Sequence, residues 1–156
     1  MSTAGSRRDL VAGLQAELTQ TIADGILFHQ AVADRLGLAL SDFKCLTLLD
    51  EQGSTAGDIA VRTGLTTGAV TRMIDRLERG GWVRRESDPG DRRRVIVRPV
   101  AERHEEIWPL FAGMSEGWTR ALADYDDAQI AMVRDLFTQM RKISRDQAAL
   151  LRASDQ

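Results

Sequence analysis

The sequence predicts a mainly α-helical fold with one small β-hairpin. Apolar residues recur every three or four positions over most of the 156 residues, which is the periodicity of helices that bury one face. After the pair Gly80–Gly81 the period changes, and β-branched residues follow a Pro-Gly turn, as in a hairpin. The length is that of one ordinary domain, so we treat residues 1–156 as a single domain that needs no metal or disulfide to hold its core.

A long amphipathic helix comes first. Its apolar residues run from Leu10 to Leu36 at spacings of three and four, and we expect it to end near Gly37. Ser41 is predicted to cap a second helix, which Gly53 would stop. The apolar stripe of the first helix is longer than a core of its own could cover.

Two short helices joined by a tight glycine turn follow. Thr55 and Asp58 have the spacing of a capping box, and the third helix is expected to end at Gly64. Thr66 is predicted to cap a fourth helix that the glycine pair terminates. At 100° per residue, its core stripe is Val70, Ile74 and Leu77 with Met73 at the edge. Its outer face is polar and carries Gly68, Arg72, Asp75 and Arg79, flanked by Thr71 and Arg76.

The hairpin is predicted from Trp82–Glu86 and Arg92–Arg98, joined by a turn at Asp88–Asp91. Because an isolated hairpin is only marginally stable, it must pack against the preceding helices. A helical pattern returns at Ala101, where Pro109 is expected to kink the helix. Asp126 and Gln129 then open a last helix.

Charge is unevenly distributed along the chain. Residues 54–99 hold ten arginines against six acidic residues, a net +4, whereas the rest of the chain is −6. A basic middle between acidic flanks is typical of a surface that faces a polyanion. A solvated charged surface is the alternative, and charge alone does not decide between them.

The two short helices and the hairpin together predict a winged helix-turn-helix, which inserts its second helix in the major groove of DNA. Small residues at the start of that helix allow close approach, and its free N–H groups favour phosphate. Arginine can bind guanine with two hydrogen bonds or enter a narrow minor groove. Asp91 would repel DNA, so we expect it to brace an arginine. The predicted DNA-binding residues are Thr66, Thr67, Gly68, Thr71, Arg72, Arg76, Asp91, Arg92, Arg93 and Arg94.

The runs Gly64–Arg85 and Asp88–Arg93 resemble the MarR family of bacterial transcriptional regulators. The resemblance implies that Asp91 and Arg93 are the Asp-x-Arg of the wing tip, with the arginine in the minor groove. It also implies a homodimer assembled from the first helix and the last two, a palindromic operator, and repression relieved by a small ligand. Residues 7–37 and 101–152 would then form the dimerisation region, and residues 38–100 the winged helix-turn-helix.

The apolar stripes support the homodimer independently, because such faces would be a liability on a monomer. The resemblance places a ligand cleft between the dimerisation helices and the winged helix. Residues expected there are Phe28, His29, Phe43 and Trp108, with an aromatic acid or a phenolic compound as the effector. Residues of these types are more often simply core residues.

Other roles have less support. Cys45 is expected to be a buried hydrophobe rather than a redox sensor, and neither histidine belongs to a metal-ligand pattern. No nucleophile motif, phosphate loop or His–carboxylate pair points to an enzyme. No apolar stretch is long enough for a membrane span, and residues 1–8 lack the apolar region of a signal peptide, so we expect a cytoplasmic protein.

The main rival is a winged-helix module that binds other proteins instead of DNA. Such a module would not need threonines on the outer helix face beside an arginine-rich wing tip. The sequence therefore favours DNA binding.

Overall fold

The computed structural model describes residues 6–91 and 93–154. The predicted fold class is confirmed: helices dominate, and the strands form one small antiparallel sheet. The helices are α1 (Arg7–Arg35), α2 (Leu40–Leu48), α3 (Ala56–Thr63), α4 (Thr67–Arg79), α5 (Ala101–Glu105), α6 (Trp108–Ala121) and α7 (Asp127–Ala153). The strands are β1 (Ser54–Thr55), β2 (Val83–Ser87) and β3 (Val95–Pro99).

The chain divides into two compact units, Met1–Leu110 and Phe111–Gln156. The first contains α1 to α5 and the sheet, and the second contains most of α6 and all of α7. The boundaries predicted for the dimerisation and DNA-binding regions stay predictions.

The sheet of the first unit has the order β1-β3-β2. In the hairpin, Val83 pairs with Pro99 and Ser87 with Val95. The sequence analysis missed β1, which is only two residues long and pairs Ser54 with Val97. The predicted start of the second hairpin strand was also too early, because β3 begins at Val95.

The core of the first unit lies between α2, α3, α4 and the sheet. Every turn of α4 contributes to it, and the four apolar residues predicted for its inner face are all buried. The largest fully buried side chains include Phe43, Leu46, Ile59, Met73, Ile74 and Leu77. Burial of each such side chain stabilises the fold by roughly 1.5–3 kcal/mol, so the core holds α4 firmly by one face.

Most predicted helix boundaries are confirmed. The Thr55–Asp58 and Asp126–Gln129 capping boxes form, and Thr66 caps α4. Gly64 ends α3 in the left-handed conformation, at φ +72°.

The prediction for α2 was wrong at both ends. The helix starts after Ala39, with no side-chain cap, and Ser41 lies inside its first turn. It ends at Leu48, five residues before Gly53. Burial of Phe43, Cys45 and Leu46 against the core stabilises α2 in the absence of a side-chain cap.

Instead of the kink predicted at Pro109, the structure has a break between two separate helices. Helix α5 ends at Glu105 and α6 begins at Trp108, so Pro109 lies in the first turn of α6. Proline is well tolerated there, because first-turn N–H groups have no partner within the helix.

In the second unit, apolar side chains of α6 and α7 line a shallow groove of about 380 Å³. In the part of the chain that the structure describes, no helix combines the length and apolarity that a membrane span requires.

Candidate nucleic-acid interface

Helix α4 presents a polar surface opposite its buried face. Thr66, Thr67, Gly68, Thr71 and Arg72 are all exposed. The order of apolar and polar residues in the sequence produces this division directly, because the core takes positions three and four apart. The predicted DNA-binding residues at the start of α4 therefore lie together on one accessible face.

The first turn of α4 is arranged by its own threonines. The Thr66 hydroxyl accepts a hydrogen bond from the N–H of Ala69 at 3.3 Å. The Thr71 hydroxyl donates to the carbonyl of Thr67 at 3.0 Å, so its oxygen can still accept a hydrogen bond. Arg72 extends back over Gly68, with one terminal nitrogen 3.9 Å from where a Gly68 Cβ would lie.

Arg72 differs from Arg85 in its partners. Among the described residues, no carboxylate forms an ion pair with Arg72. Arg85, by contrast, contacts both Asp75, at 2.6 Å, and Glu78. Hydrogen bonds to these two carboxylates raise the pKa of Arg85. Arg85 therefore joins the hairpin to α4, and Arg72 keeps its donors available.

Arg76 forms an ion pair with Asp42, although its side chain is still 47% exposed. Its Nε donates to Asp42 Oδ2 at 2.9 Å and its Nη2 to Asp42 Oδ1 at 2.6 Å. The sequence analysis missed Asp42, whose partner is 34 residues away. The sequence did contain a signal for this contact, because Asp42 is a charged residue between apolar positions of α2. The DNA contact predicted for Arg76 stays a prediction, and two of its three nitrogens already donate to Asp42.

The wing tip is organised by two aspartates. Asp91 Oδ1 accepts from the backbone N–H of Arg93 at 3.0 Å and from its Nε at 3.3 Å, as expected for a bracing residue. Asp88 Oδ1 accepts from the N–H of Gly90 at 2.8 Å, and Arg94 lies 3.7 Å from Asp88. The Arg93 side chain is 93% exposed. Arg92, also predicted to bind DNA, lies outside the described residues.

The arginines at the base of the wing are paired as well. Glu86 lies 2.5 Å from Arg84 and 3.0 Å from Arg98. Much of the positive charge counted in the sequence is therefore used within the protein. Arg72 on α4 is exposed and has no ion pair within the described residues, and the Arg93 side chain on the wing extends into solvent.

Three of the four predicted ligand residues come together, and Trp108 does not join them. The His29 ring lies 6.1 Å from that of Phe28 and 5.6 Å, edge-on, from that of Phe43. Phe43 is fully buried, which makes it a core residue. Trp108 is exposed and stacks on His104, with ring centroids 5.9 Å apart.

Beside His29 lies a groove of about 520 Å³ between α1, α2 and α3. Its polar lining includes Ser41, Lys44 and Arg62, and its apolar lining includes Leu48 and Leu65. Two cations beside apolar side chains make this groove suitable for an amphipathic anion.

Two titratable groups near this groove have shifted pKa values. Burial and, secondarily, Lys44 lower the pKa of His29, so the neutral ring is favoured. Burial and the charge of Asp42 raise the pKa of Cys45 to about 11. Since the thiolate is the reactive form, Cys45 is chemically inert near neutral pH. Across residues 6–91 and 93–154, no group of three His, Cys, Asp or Glu side chains is placed to hold a metal ion.

Comparison with known proteins agrees with this geometry. The model of the MarR family matches residues 38–95. A relative from Bacillus subtilis strain 168, named as the uncharacterized HTH-type transcriptional regulator YcgE, is 39% identical over 134 residues, which are 85% of this chain and 87% of that protein. The chain belongs to the MarR family.

Solved structures of the family have the same fold. The crystal structure of MarR aligns with a TM-score of 0.56 and 26% identity, covering 84% of this chain and 96% of that one. A MarR family protein from Bacillus stearothermophilus aligns with a TM-score of 0.65 and 20% identity, over 90% of this chain and 99% of its own.

The protein is therefore a DNA-binding transcriptional regulator and not an enzyme. The resemblance inferred from Gly64–Arg85 and Asp88–Arg93 is confirmed.

Proposed function

We propose that this MarR family protein is a cytoplasmic repressor that binds a palindromic operator as a homodimer and releases it when a small acid binds. One observation carries the proposal: α4 holds Arg72, with no ion-pair partner among the described residues, on an exposed face, while Arg93 extends from the wing. These two positions match a major-groove reader and a minor-groove contact.

Exposed apolar side chains support the homodimer. On α1, the exposed residues include Leu10, Leu14, Ile22 and Ile26. On α7, they include Met132, Ile143, Leu150 and Leu151. Apolar rows of this length on both helices are more than a stable monomer normally exposes. Twofold pairing would cover them and place two α4 helices on half-sites about one DNA turn, or ~10 base pairs, apart.

The groove beside His29 supports the response to an effector. Lys44 and Arg62 can attract a carboxylate or phenolate, and Leu48 and Leu65 can contact an aromatic ring. An aromatic acid or a phenolic compound is therefore the effector class that we propose. The proposed effector residues are now His29 and these groove residues, with Phe43 as support beneath them.

The DNA part is tested by selecting bound sites from random DNA and measuring affinity across salt concentrations. We expect an inverted repeat to emerge. Arg72→Ala should alter base preference, costing ~1–3 kcal/mol at one position of each half-site, whereas Arg93→Ala should weaken binding to all sequences. Equal affinity for random and selected DNA would contradict sequence-specific repression and would favour a protein-binding module.

The effector part is tested by titrating salicylate and related phenols while operator binding and tryptophan fluorescence are followed. Lys44→Gln should weaken the response to the acids and leave operator affinity without effector unchanged. Glu51→Gln, which changes one exposed charge outside the groove, is the control for location. If no compound changes operator affinity, the proposed effector class is wrong.

A further inference from the structure

The ion pair between Asp42 and Arg76 is unusual in its surroundings. Asp42 is only 3% exposed and lies on the same face of α2 as the buried Phe43, Cys45 and Leu46. Placing a carboxylate among apolar side chains has a high desolvation cost unless it is fully paired. A residue of this kind needs a role other than packing.

Asp42 is fully paired. Arg76 supplies two hydrogen bonds, one to each carboxylate oxygen, at 2.6 and 2.9 Å. The Ser41 hydroxyl lies 3.2 Å from Oδ1 and can donate a third. Two-point pairing of a planar guanidinium with a carboxylate restricts both distance and orientation. The contact therefore restrains rotation of α4 about its axis in a way that apolar packing does not.

The pair lies where it can control the reading face. Arg76 is one helical turn beyond Arg72, so both side chains leave α4 in similar directions. Arg76 bends back to α2, and its hydrogen bonds to Asp42 raise its pKa. Asp42 belongs to α2, outside the two helices of the helix-turn-helix, so the pair ties the reading helix to a separate support.

We propose that Asp42, acting through Arg76, is a positioning residue that sets the orientation of α4 for sequence-specific DNA binding. Arg76 serves as a strut and does not contact phosphate. The inference rests on the proposed function, because it concerns how Arg72 and the threonines of α4 meet their bases. Asp42 is the buried partner and Arg76 is 47% exposed; an ion pair with a buried partner adds little net stability but can select one arrangement of packed elements.

The direction in which one substitution changes operator affinity shows whether Arg76 positions α4 or contacts DNA. Asp42→Asn keeps the volume of the side chain and removes its charge. If Arg76 contacts phosphate, the substitution frees the arginine and tightens binding. If Arg76 is a strut, operator affinity falls by about tenfold, while affinity for random DNA is unchanged because the phosphate contacts remain.

The salt dependence of binding gives a second readout. Each phosphate contact contributes about −0.9 to the slope of log affinity against log salt. For a strut, Arg76→Gln weakens operator binding with no change in slope. Arg79→Gln removes the same charge one turn further along α4, where Arg79 donates to the Asp75 carbonyl at 3.1 Å, and it serves as the control for charge loss.

The double variant Asp42→Asn/Arg76→Gln shows whether a loss of operator affinity comes only from a loss of stability. Arg76→Gln alone leaves a buried carboxylate unpaired and lowers the melting temperature, whereas the double variant removes both charges and regains that stability. We expect its operator affinity to be no lower than that of the weaker single variant, since the two residues act as one unit.

Three outcomes would overturn the inference: Asp42→Asn binds the operator as well as or better than the parent protein, Arg76→Gln lowers the salt slope, or the two single losses add. A parent protein without sequence preference would instead refute the proposed function, so the two failures are distinguishable.

Discussion

At the scale of single residues, partners decide what each arginine does. Arg76 and Arg85 belong to the protein's own ion-pair network, whereas Arg72 and Arg93 keep most of their donor capacity for a ligand. Exposed ion pairs contribute little to stability, about 0–1 kcal/mol each. The main effect of these ion pairs is therefore to determine which arginines can reach DNA.

Gly53 is a residue whose importance lies in backbone geometry. It has φ +73°, and an added Cβ would lie 2.6 Å from both the Ile96 side chain and the Val97 carbonyl. We expect Gly53→Ala to lower the free energy of unfolding by about 2–4 kcal/mol, from left-handed backbone strain and overpacking. Chemical denaturation measures this loss.

Gly57→Ala is the matched control for Gly53→Ala. Its Cβ would meet only the Thr55 hydroxyl at 3.7 Å, an ordinary contact. It should stabilise α3 by roughly 0.5–1 kcal/mol. If both substitutions had the same effect, the close approach of Gly53 to β3 would not matter for stability.

His29 predicts a pH dependence of stability. Because its pKa is lowered in the folded state from the usual 6.5, the unfolded chain binds more protons just below pH 6.5. Its contribution to stability is therefore complete above pH 6.5 and is lost as the pH falls through the folded pKa. Asp58, whose pKa is lowered from 3.8 by hydrogen bonds to Thr55, acts only in stronger acid.

The measurement is denaturation at several pH values between 5 and 7. His29→Gln should flatten the slope in this range relative to the parent protein. An unchanged slope would show that His29 has the same proton affinity in both states.

At the scale of elements, different interactions hold α4 and the wing in shape. Helix α4 is rigid because the core holds one face along its whole length. The wing tip has few apolar contacts, and hydrogen bonds to Asp88 and Asp91 give it its shape. Substitutions should therefore affect DNA binding through shape complementarity on α4 and through local order on the wing.

Gly68 tests the close approach of α4 to DNA. An added Cβ would meet no protein atom closer than 3.9 Å, so Gly68→Ala should raise the stability of the free protein by roughly 0.5–1 kcal/mol. The same methyl group should weaken operator binding by about 1–3 kcal/mol, the usual cost of one mismatched base pair. A melting temperature and an operator titration measure the two effects, and a gain in both would contradict close approach.

Asp91 tests the order of the wing. Removing a negative charge from a DNA-facing loop should strengthen binding by electrostatics alone. We expect Asp91→Ala to weaken operator binding nevertheless, by about 1 kcal/mol, because the Arg93 backbone and side chain lose their acceptor. Asp91→Asn keeps an acceptor oxygen and should bind at least as tightly as the parent protein. Tighter binding by both variants would show that repulsion dominates.

At the scale of the whole molecule, a partner surface in the proposed homodimer would cover the exposed apolar rows of α1 and α7. Leu14 and Ile22 on α1 are 55% exposed. The double substitution Leu14→Glu/Ile22→Glu should give a monomer in sedimentation experiments. Affinity for a site with two half-sites should fall by about 100-fold or more, because the second half-site is no longer tethered.

Gln20→Glu adds charge to the opposite side of α1, at 100° per residue, and is the control. It should leave both the mass and the affinity unchanged. A parent protein that sediments as a monomer while binding the full operator would contradict the proposed homodimer.

The sequence by itself determined the helices, the wing and the polar face of α4. These features depend on local patterns: apolar spacing, capping residues and the glycines that end helices. The capping box at Thr55 and the turn at Gly64 formed as predicted because their hydrogen bonds join residues three or four apart. The family could be inferred for the same reason, since its motif is one continuous stretch.

Only the tertiary structure decided which charges are available and which elements touch. The partner of Arg76 is 34 residues distant, and β1 becomes a strand only because β3 lies beside it. The position of Trp108, apart from His29 and Phe43, likewise depends on where the break between α5 and α6 falls. The positions of such residues follow from packing over long distances in the chain, which local patterns do not encode.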